Sequence, residues 1–567
     1  MSLKTKYLVI ILTLAFLLWL LAISATRVFD VSVDARFGLM QYMPWYFWVG
    51  VFLLGLANGL AMLGFGSRVM YLPLLTVTML FVLVPNCFVE PTVTSDAYWH
   101  ASTFMRLTQT GYIDSSVASY LEWPFLFIIG SALTSITKID ASQLIQYYPL
   151  LNGLLLTVGF YLLSKRLLGS DQLAFISTTF MIMGQMFILF HFSPYAMALS
   201  LFPLILYLLL SKDVKQLSMG ILLSFVLIVT HTFVPVFMLL IIGVIPWLFS
   251  RFFKIRSKYP FTAILISISF FGWLIYVGTG AFSSYVNIGQ RLYYTLLDLS
   301  RFEAVSEAFS GYIYPEISYL RKGVFASYLL MGLLGFLLRF KADKSNKDLL
   351  LGIRAGMLII PSALIFLVPY VLGPLEFTTR SLDFVIFGAS INLPTVLSIF
   401  HLEDKSMHRT GNSKQTRGLL KRSGRFLNRK SAIVLFSVFL LFLGVTLSYV
   451  DESSWLTHPS ELAGNIFVAN VASSETLIYS NPRVEYIFFN INLTERNVMI
   501  FDFNHPYERS GLDSSDIIVF RNLALIRYFY SGDISPYSRG MDYVESTYTF
   551  LRIYDSGTFL AYVNVGT

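Results

Sequence analysis

Charged residues are scarce in this sequence, at 13% of its 567 residues. Soluble globular domains carry about 25% charged residues, so this chain has too few to cover the surface of a soluble protein of its length. Hydrophobic residues make up 56%, and the mean hydropathy is +0.66. This composition excludes a soluble enzyme, a disordered chain, a fibrous protein and a nucleic-acid-binding protein. It predicts a polytopic α-helical membrane protein.

Three other features are missing from the sequence. Cys87 is the only cysteine, which excludes an internal disulfide and a zinc site built on several thiolates. The sequence contains no phosphate-binding glycine loop of the type GxxxxGK[S/T], so it gives no support for an activity driven by ATP or another nucleotide. It also contains no internal repeat, although transporters usually have one.

About thirteen apolar runs are long enough to cross a bilayer, which takes about 20 mostly apolar residues. The first follows Lys4 and Lys6, as in a signal peptide, but it lacks a small-residue cleavage site and is expected to be retained. The predicted spans lie near residues 7–25, 45–64, 69–88, 144–163, 172–191, 194–211, 216–231, 232–250, 260–280, 323–340, 349–373, 381–400 and 431–449.

The orientation follows from the basic residues, which exceed the acidic ones by 41 to 33. Lys and Arg gather in cytoplasmic loops. A cytoplasmic N-terminus places every strong cluster inside, provided that a further apolar run, 123–137, does not cross. The clusters are Arg68, Lys165 with Arg166, Lys212 with Lys215, and the basic residues of 251–258, 339–347 and 405–430. We therefore expect 123–137 to be an interfacial or re-entrant helix on the outer face of the cytoplasmic membrane.

This topology divides the chain into three parts. Residues 1–68 form two additional N-terminal helices. Residues 69–450 form a transmembrane module with outer loops 89–143 and 281–322 and a basic cytoplasmic loop 401–430. Residues 451–567 turn polar and contain strand-like runs, including a hairpin around Asp555-Ser556-Gly557, so they predict a small extracytoplasmic α/β domain.

The first outer loop contains the strongest candidate for chemistry. Residues 97–108 have the spacing of a short amphipathic helix lying on the membrane, and Gly111 is its expected end. Asp96 and His100 share one face of this helix. A carboxylate held there is suited to act as a general base, although Asp is also a common helix cap. The two side chains could instead share a divalent metal, but two ligands do not make a site.

Three motifs resemble the GT-C superfamily of membrane glycosyltransferases, which use polyprenyl-phosphate-linked sugar donors. Ser95-Asp96-Ala97-Tyr98-Trp99-His100 resembles the acidic start of the family's first external loop. Glu122-Trp123-Pro124 resembles the start of its second juxtamembrane helix. Tyr148-Pro149, running on to Lys165-Arg166 and Gly169, resembles the helix that ends in a basic pair and a glycine. The similarity covers about residues 75–210. Two additional helices precede it, and a single Asp replaces the commoner pair of acids.

The resemblance implies an inverting transferase with a GT-C-like bundle, in which Asp96 is the base and His100 and Glu122 assist or orient a substrate. Glu122 could equally be a structural residue at the interface. The departing lipid phosphate needs cations at the outer headgroup level. The candidates are Arg380, Arg321, Lys322 and His231.

Each phosphate candidate also has a structural interpretation. Arg380 could pair with Asp383 or extend its cation to the interface. Arg321 and Lys322 could anchor to lipid headgroups, and His231 could be a hydrogen-bonded turn residue, like His191.

The expected partners are a polyprenyl-phosphate-linked sugar, the bilayer, and a glycan, lipid or protein acceptor, with no nucleic acid. One alternative is a polymerase or ligase of lipid-linked polysaccharide that depends on Arg291, Arg301 or Arg321. A less favoured alternative is a transporter.

Overall fold

The computed structural model describes most of the helical part of the chain and pieces of the C-terminal part. The described residues are 3–25, 38–88, 95–113, 119–184, 191–244, 260–280, 282–283, 285–286, 290, 315–342, 375–406, 429–449, 464, 467–468, 478–480, 498–500, 517–521, 550–555 and 559–564. At some helix ends, including Asp96 and Arg380, the side chain lies outside the described part. The predicted span 349–373 and most of loop 281–322 also lie outside it.

Helices dominate the described residues. Their bounds are α1 Leu3–Ala25, α2 Trp45–Met62, α3 Tyr71–Phe88, α4 Ser95–Thr110, α5 Phe125–Thr137, α6 Ala141–Leu168, α7 Asp171–Met183, α8 Pro194–Leu209, α9 Val214–Thr230, α10 Phe233–Leu239, α11 Pro260–Tyr276, α12 Pro315–Ala342, α13 Leu375–Ser406 and α14 Arg429–Tyr449. Short 3₁₀ turns occupy Gly38–Tyr42, Arg68–Met70 and Ser119–Glu122, and a π-helical turn, Leu240–Val244, continues α10.

Several of these helices can cross a membrane. Within the described residues, five segments are both long and apolar enough, and they lie in α1, α2, α6, α12 and α14. Shorter apolar helices accompany them, including α8, α9 and α11. The chain is therefore a multi-pass membrane protein. Prolines inside α3, α6, α8 and α13 fit this setting, because neighbouring helices in a bundle satisfy the backbone groups that proline frees.

One end of the bundle gathers the first predicted cytoplasmic basic residues. Arg68, just before α3, and Lys165, near the end of α6, both pair with Asp171 at the start of α7, at 3.7 and 2.7 Å. Arg166 donates to the carbonyl of Tyr207 and, at 3.0 Å, to Gln216. We call this end, defined by Arg68, Lys165, Arg166 and Asp171, the basic end. Arg68 and the pair Lys165–Arg166 therefore lie at one end of the bundle, as predicted, whereas the cytoplasmic location of that end stays a prediction.

The opposite end, which we call the loop end, is where α3 finishes and α6 begins. Because α3 starts and α6 ends at the basic end, the two helices run antiparallel, and Gly153 of α6 packs against Met79 and Leu83 of α3. The intervening residues 89–140 therefore leave and return at the loop end. This course agrees with a helix 123–137 that does not cross, which stays a prediction.

The helices α4 and α5 lie side by side and run in the same direction. Trp99 contacts Phe127, with ring centroids 6.1 Å apart, and Thr108 donates to Ser131 at 2.8 Å. The predicted stripe of α4 is buried at Ala97, Tyr98, Ala101 and Phe104, which pack against α5, α6 and Phe192. The first part of the stripe therefore packs against protein, although the whole stripe was expected to lie on the membrane. Gly111 follows the helix with φ +70°, as predicted.

The described residues of the C-terminal part form a five-stranded sheet in the order β2-β1-β3-β5-β4. The strands are β1 Ile478–Ser480, β2 Val498–Ile500, β3 Ile517–Arg521, β4 Phe550–Asp555 and β5 Phe559–Asn564. The pairs β1–β2 and β1–β3 are parallel, and β3–β5 and β4–β5 are antiparallel. The predicted hairpin at the end of the chain is confirmed, whereas most of the predicted α/β domain lies outside the described residues.

A buried polar cluster joins the additional N-terminal helices to the rest of the bundle. Asn58 of α2 donates to Thr78 of α3 at 2.8 Å and accepts from Thr179 of α7 at 3.4 Å. All three side chains are buried. Hydrogen bonds between membrane helices contribute about 0.6 kcal/mol on average and up to about 1.7 kcal/mol each.

We expect Asn58→Leu to destabilise the detergent-solubilised protein by about 1–2 kcal/mol, because it removes both interhelical bonds. The measurement is the midpoint of thermal unfolding. Ser269→Ala is the matched control, since that hydroxyl donates to the carbonyl of Leu265 in its own helix, at 2.9 Å. Equal midpoints for the two variants would contradict the role of Asn58 in joining the helices.

Candidate active site at the loop end

Helix α4 carries two of the predicted residues, Asp96 and His100, one turn apart. The His100 ring is buried, 5.7 Å from Phe127 and 6.5 Å from His191 between ring centroids. Burial, followed by the nearby His191, holds the pKa of His100 well below its usual value. His100 is therefore neutral and packs as an aromatic residue. Asp96 lies within the first turn of α4, and its side chain lies outside the described part.

Glu122 brings a second carboxylate to the loop end. Its side chain is 7% exposed. One oxygen, Oε1, accepts from the backbone N–H of Gly280 at 3.0 Å and from the hydroxyl of Thr279 at 3.3 Å. The other oxygen, Oε2, is buried without a hydrogen-bond partner in the described part of the chain. A buried carboxylate oxygen without a partner is costly and calls for an explanation.

The indole of Trp123, the residue after Glu122, packs against the same segment. Trp123 is buried, and its Nε1 also has no hydrogen-bond partner among the described residues. Its ring lies against Gly278, where a Cβ would come within 2.9 Å of the indole. The segment that leaves α11 therefore packs against Glu122 and Trp123.

We expect Glu122→Gln to weaken the binding of a substrate that donates a hydrogen bond to Oε2. The amide keeps an acceptor for Gly280 but places an N–H₂ where the carboxylate accepted. A hydrogen bond to a charged group contributes about 1.5–3 kcal/mol, so KM should rise at least about 10-fold with a smaller change in kcat.

Thr279→Val is the control for this substitution, because it removes a donor to Oε1 alone. Steady-state kinetics on both variants separates the two effects. A wild-type KM for Glu122→Gln would assign Glu122 a purely structural role.

His231 and the turn that contains it also lie at the loop end. The ring is buried, and its Nδ1 accepts from the backbone N–H of Phe233 at 3.1 Å, which places the proton on Nε2. The ring centroid lies 5.2 Å from that of Tyr195. The next residue, Thr232, is 2.7 Å from the hydroxyl of Tyr285. These contacts favour the interpretation of His231 as a turn residue that caps α10.

Arg321 and Lys322 lie in the second turn of α12, and both have contacts of their own. The buried Arg321 guanidinium donates from Nε to the carbonyl of Leu447 at 2.9 Å and also from Nη2. It thereby caps the last turn of α14. The ammonium of Lys322 lies 5.4 Å from the centre of the Tyr319 ring. The contact to Leu447 favours a structural role for Arg321.

Arg380 lies in the first two turns of α13, three residues before Asp383. Asp383 is buried and accepts from the hydroxyl of Tyr195 at 2.6 Å. The described contacts thus bring together α4, the start of α5, the starts of α8 and α10, the segment after α11, and the first part of α13. Sequence reasoning placed Asp96, Glu122, His231 and Arg380 on these elements, and it missed Tyr195, Tyr285 and the depth at which Asp383 is buried.

The sequence also allowed a divalent metal shared by Asp96 and His100. Within the described residues, no three His, Cys, Asp or Glu side chains lie close enough together to hold a metal ion.

Comparisons with known proteins returned distant structural similarity only. The chain resembles ArnT from Cupriavidus metallidurans in the apo state, with a TM-score of 0.46 and 11% identity over 83% of this chain and 93% of that one. It also resembles ArnT from Cupriavidus metallidurans bound to undecaprenyl phosphate, with a TM-score of 0.44 and 11% identity over 88% of this chain and 98% of that one. No protein-family model and no curated protein matches this chain. TM-scores below 0.5 do not carry chemistry from one protein to another.

Proposed function

We propose that this protein is an inverting membrane glycosyltransferase. It moves a sugar from a polyprenyl-phosphate carrier to an acceptor on the outer face of the cytoplasmic membrane. The observation that carries the proposal is that α4, Glu122 and the start of α13 all lie at the loop end. This end is opposite to the basic end, and the positive-inside rule supports placing it outside.

The proposed reaction needs one base and one cation. The acceptor hydroxyl attacks the anomeric carbon, the bond from that carbon to the phosphate oxygen breaks, and the configuration inverts. Asp96 takes the hydroxyl proton, and the polyprenyl phosphate leaves with the bonding electron pair. Arg380 stabilises the charge that develops on the phosphate, because its forked guanidinium can bind two phosphate oxygens.

Glu122 is proposed to orient a sugar or acceptor hydroxyl through Oε2, the oxygen that has no hydrogen-bond partner among the described residues. The described contacts occupy two of the other candidates, since the guanidinium of Arg321 is bound to Leu447 and the Nδ1 of His231 is bound to Phe233. Lys322 remains a second candidate at the same end.

Transfer by the full-length protein in proteoliposomes tests the proposal. The probes are undecaprenyl-phosphate-linked sugars carrying a radiolabel, supplied with extracted lipid and glycan acceptors. We expect the label to appear in a new product in equal amount with released undecaprenyl phosphate. Labelled donor that crosses the bilayer unreacted would establish a transporter instead. Label that appears in lengthening chains and depends on Arg291 or Arg301 would establish a polymerase.

A further inference from the structure

Asp383 is a carboxylate buried within an otherwise apolar stretch of α13. Its side chain is 1% exposed, and its neighbours Leu382, Phe384, Val385 and Ile386 are also buried. An ionisable residue inside a membrane helix is expensive and usually marks a functional pathway or a charge partner. A mere tie between two helices would need only a neutral side chain such as Asn.

Asp383 has a specific contact that reaches far along the sequence. Its Oδ2 accepts from the hydroxyl of Tyr195 at 2.6 Å, across 188 positions. Tyr195 is the second residue of α8 and lies against His231, with ring centroids 5.2 Å apart. The carboxylate is therefore held at the point where α8, α10 and α13 meet at the loop end.

Asp383 lies close to Arg380 along α13. The two residues are three apart in a continuous helix, which places them on one face of α13. At 1.5 Å per residue, Arg380 lies about 4.5 Å nearer the loop end. A carboxylate one turn deeper than an arginine can hold the guanidinium from below while its outer donors face a ligand.

We propose that Asp383, itself fixed by Tyr195, is a positioning residue that orients Arg380 towards the phosphate of the lipid carrier. This inference rests on the proposed function, since it assigns the phosphate to Arg380. We call the series Tyr195, Asp383 and Arg380 the relay, because through it the start of α8 determines where the phosphate-binding cation lies.

A double-mutant cycle on the full-length protein tests the relay, with undecaprenyl phosphate in nanodiscs as the probe. The variants are Asp383→Asn, Arg380→Gln and the double variant, with the dissociation constant and the thermal midpoint measured for each. We expect Asp383→Asn to weaken binding about 10-fold, and we expect the double variant to bind no more weakly than Arg380→Gln alone. Tyr195→Phe, which keeps the ring and is the milder change, should weaken binding about 3-fold.

Tyr328→Phe is the matched control, because it removes another buried tyrosine hydroxyl, which donates to Phe180 at 2.9 Å. It should lower the thermal midpoint and leave phosphate binding unchanged. Additive losses from Asp383→Asn and Arg380→Gln, or wild-type binding in Tyr195→Phe, would overturn the relay alone. Failure of the wild-type protein to bind undecaprenyl phosphate would overturn both the relay and the proposed function.

Discussion

Asp96→Asn is expected to lower the rate of sugar transfer by about 10²- to 10⁴-fold, the range that positioned acid–base catalysis contributes. The asparagine side chain has the same shape and can still accept a hydrogen bond, but it cannot take the proton of the acceptor hydroxyl. The loss should therefore fall on kcat and leave the dissociation constant for the lipid-linked donor within about 3-fold. Single-turnover transfer and donor binding, measured on the same purified protein, separate the two quantities.

Asp140→Asn is the control that matches this change in chemistry and in place. Asp140 caps α6 at the loop end by accepting from Ser142 at 3.1 Å, and Asn caps a helix about as well as Asp. This variant should transfer sugar at the wild-type rate. If Asp96→Asn also retained wild-type transfer, Asp96 would be a first-turn residue of α4 without a role in proton removal.

Arg380→Gln has the second-largest expected effect, a loss of about 10²- to 10³-fold in kcat, as for removal of one donor that stabilises transition-state charge. The negative charge on the phosphate grows as the bond to the sugar breaks, so the loss in kcat should exceed the loss in donor affinity. Arg380→Lys should recover part of the rate, because it keeps the charge but loses the forked geometry. Rapid-quench kinetics with a labelled donor measures both variants.

Lys322→Gln removes a cation at the same end of the bundle and serves as the comparison. Its ammonium already lies over the ring of Tyr319, so its loss should lower the rate less than 10-fold, an interaction of about 1 kcal/mol. The reverse order of effects, with Lys322 essential and Arg380 dispensable, would move the phosphate from α13 to α12.

The sequence predicts local features of the fold well, because the signals for them lie within a few residues of one another. The stripe from Ala97 to Phe104, the end of α4 at Gly111 and the hairpin around Asp555 follow from periodicity and turn chemistry. The short helix α5 is apolar enough to be taken for a span. Its exclusion needed the summed evidence of many basic residues, and the shared pairing of Arg68 and Lys165 with Asp171 agrees with it.

The candidate site is less predictable because it is made of contacts between distant positions. Glu122 meets Gly280 across 158 positions, and Tyr195 meets Asp383 across 188. The hydrophobic periodicity of a sequence does not predict contacts between such distant residues. One signal was present, however. Asp383 interrupts an apolar helix, and its burial could have been anticipated from the cost of leaving a charge among lipids.

The side-by-side course of α4 and α5 has an electrostatic consequence. Antiparallel neighbours cancel their helix dipoles, whereas these two add, because both begin on the same side. Their positive ends lie next to Asp96 and just after Glu122, and each favours a negative charge there by about 0.3–1 kcal/mol. The backbone of the first outer loop thereby favours a negative charge at this end of the bundle, such as that of a bound phosphate.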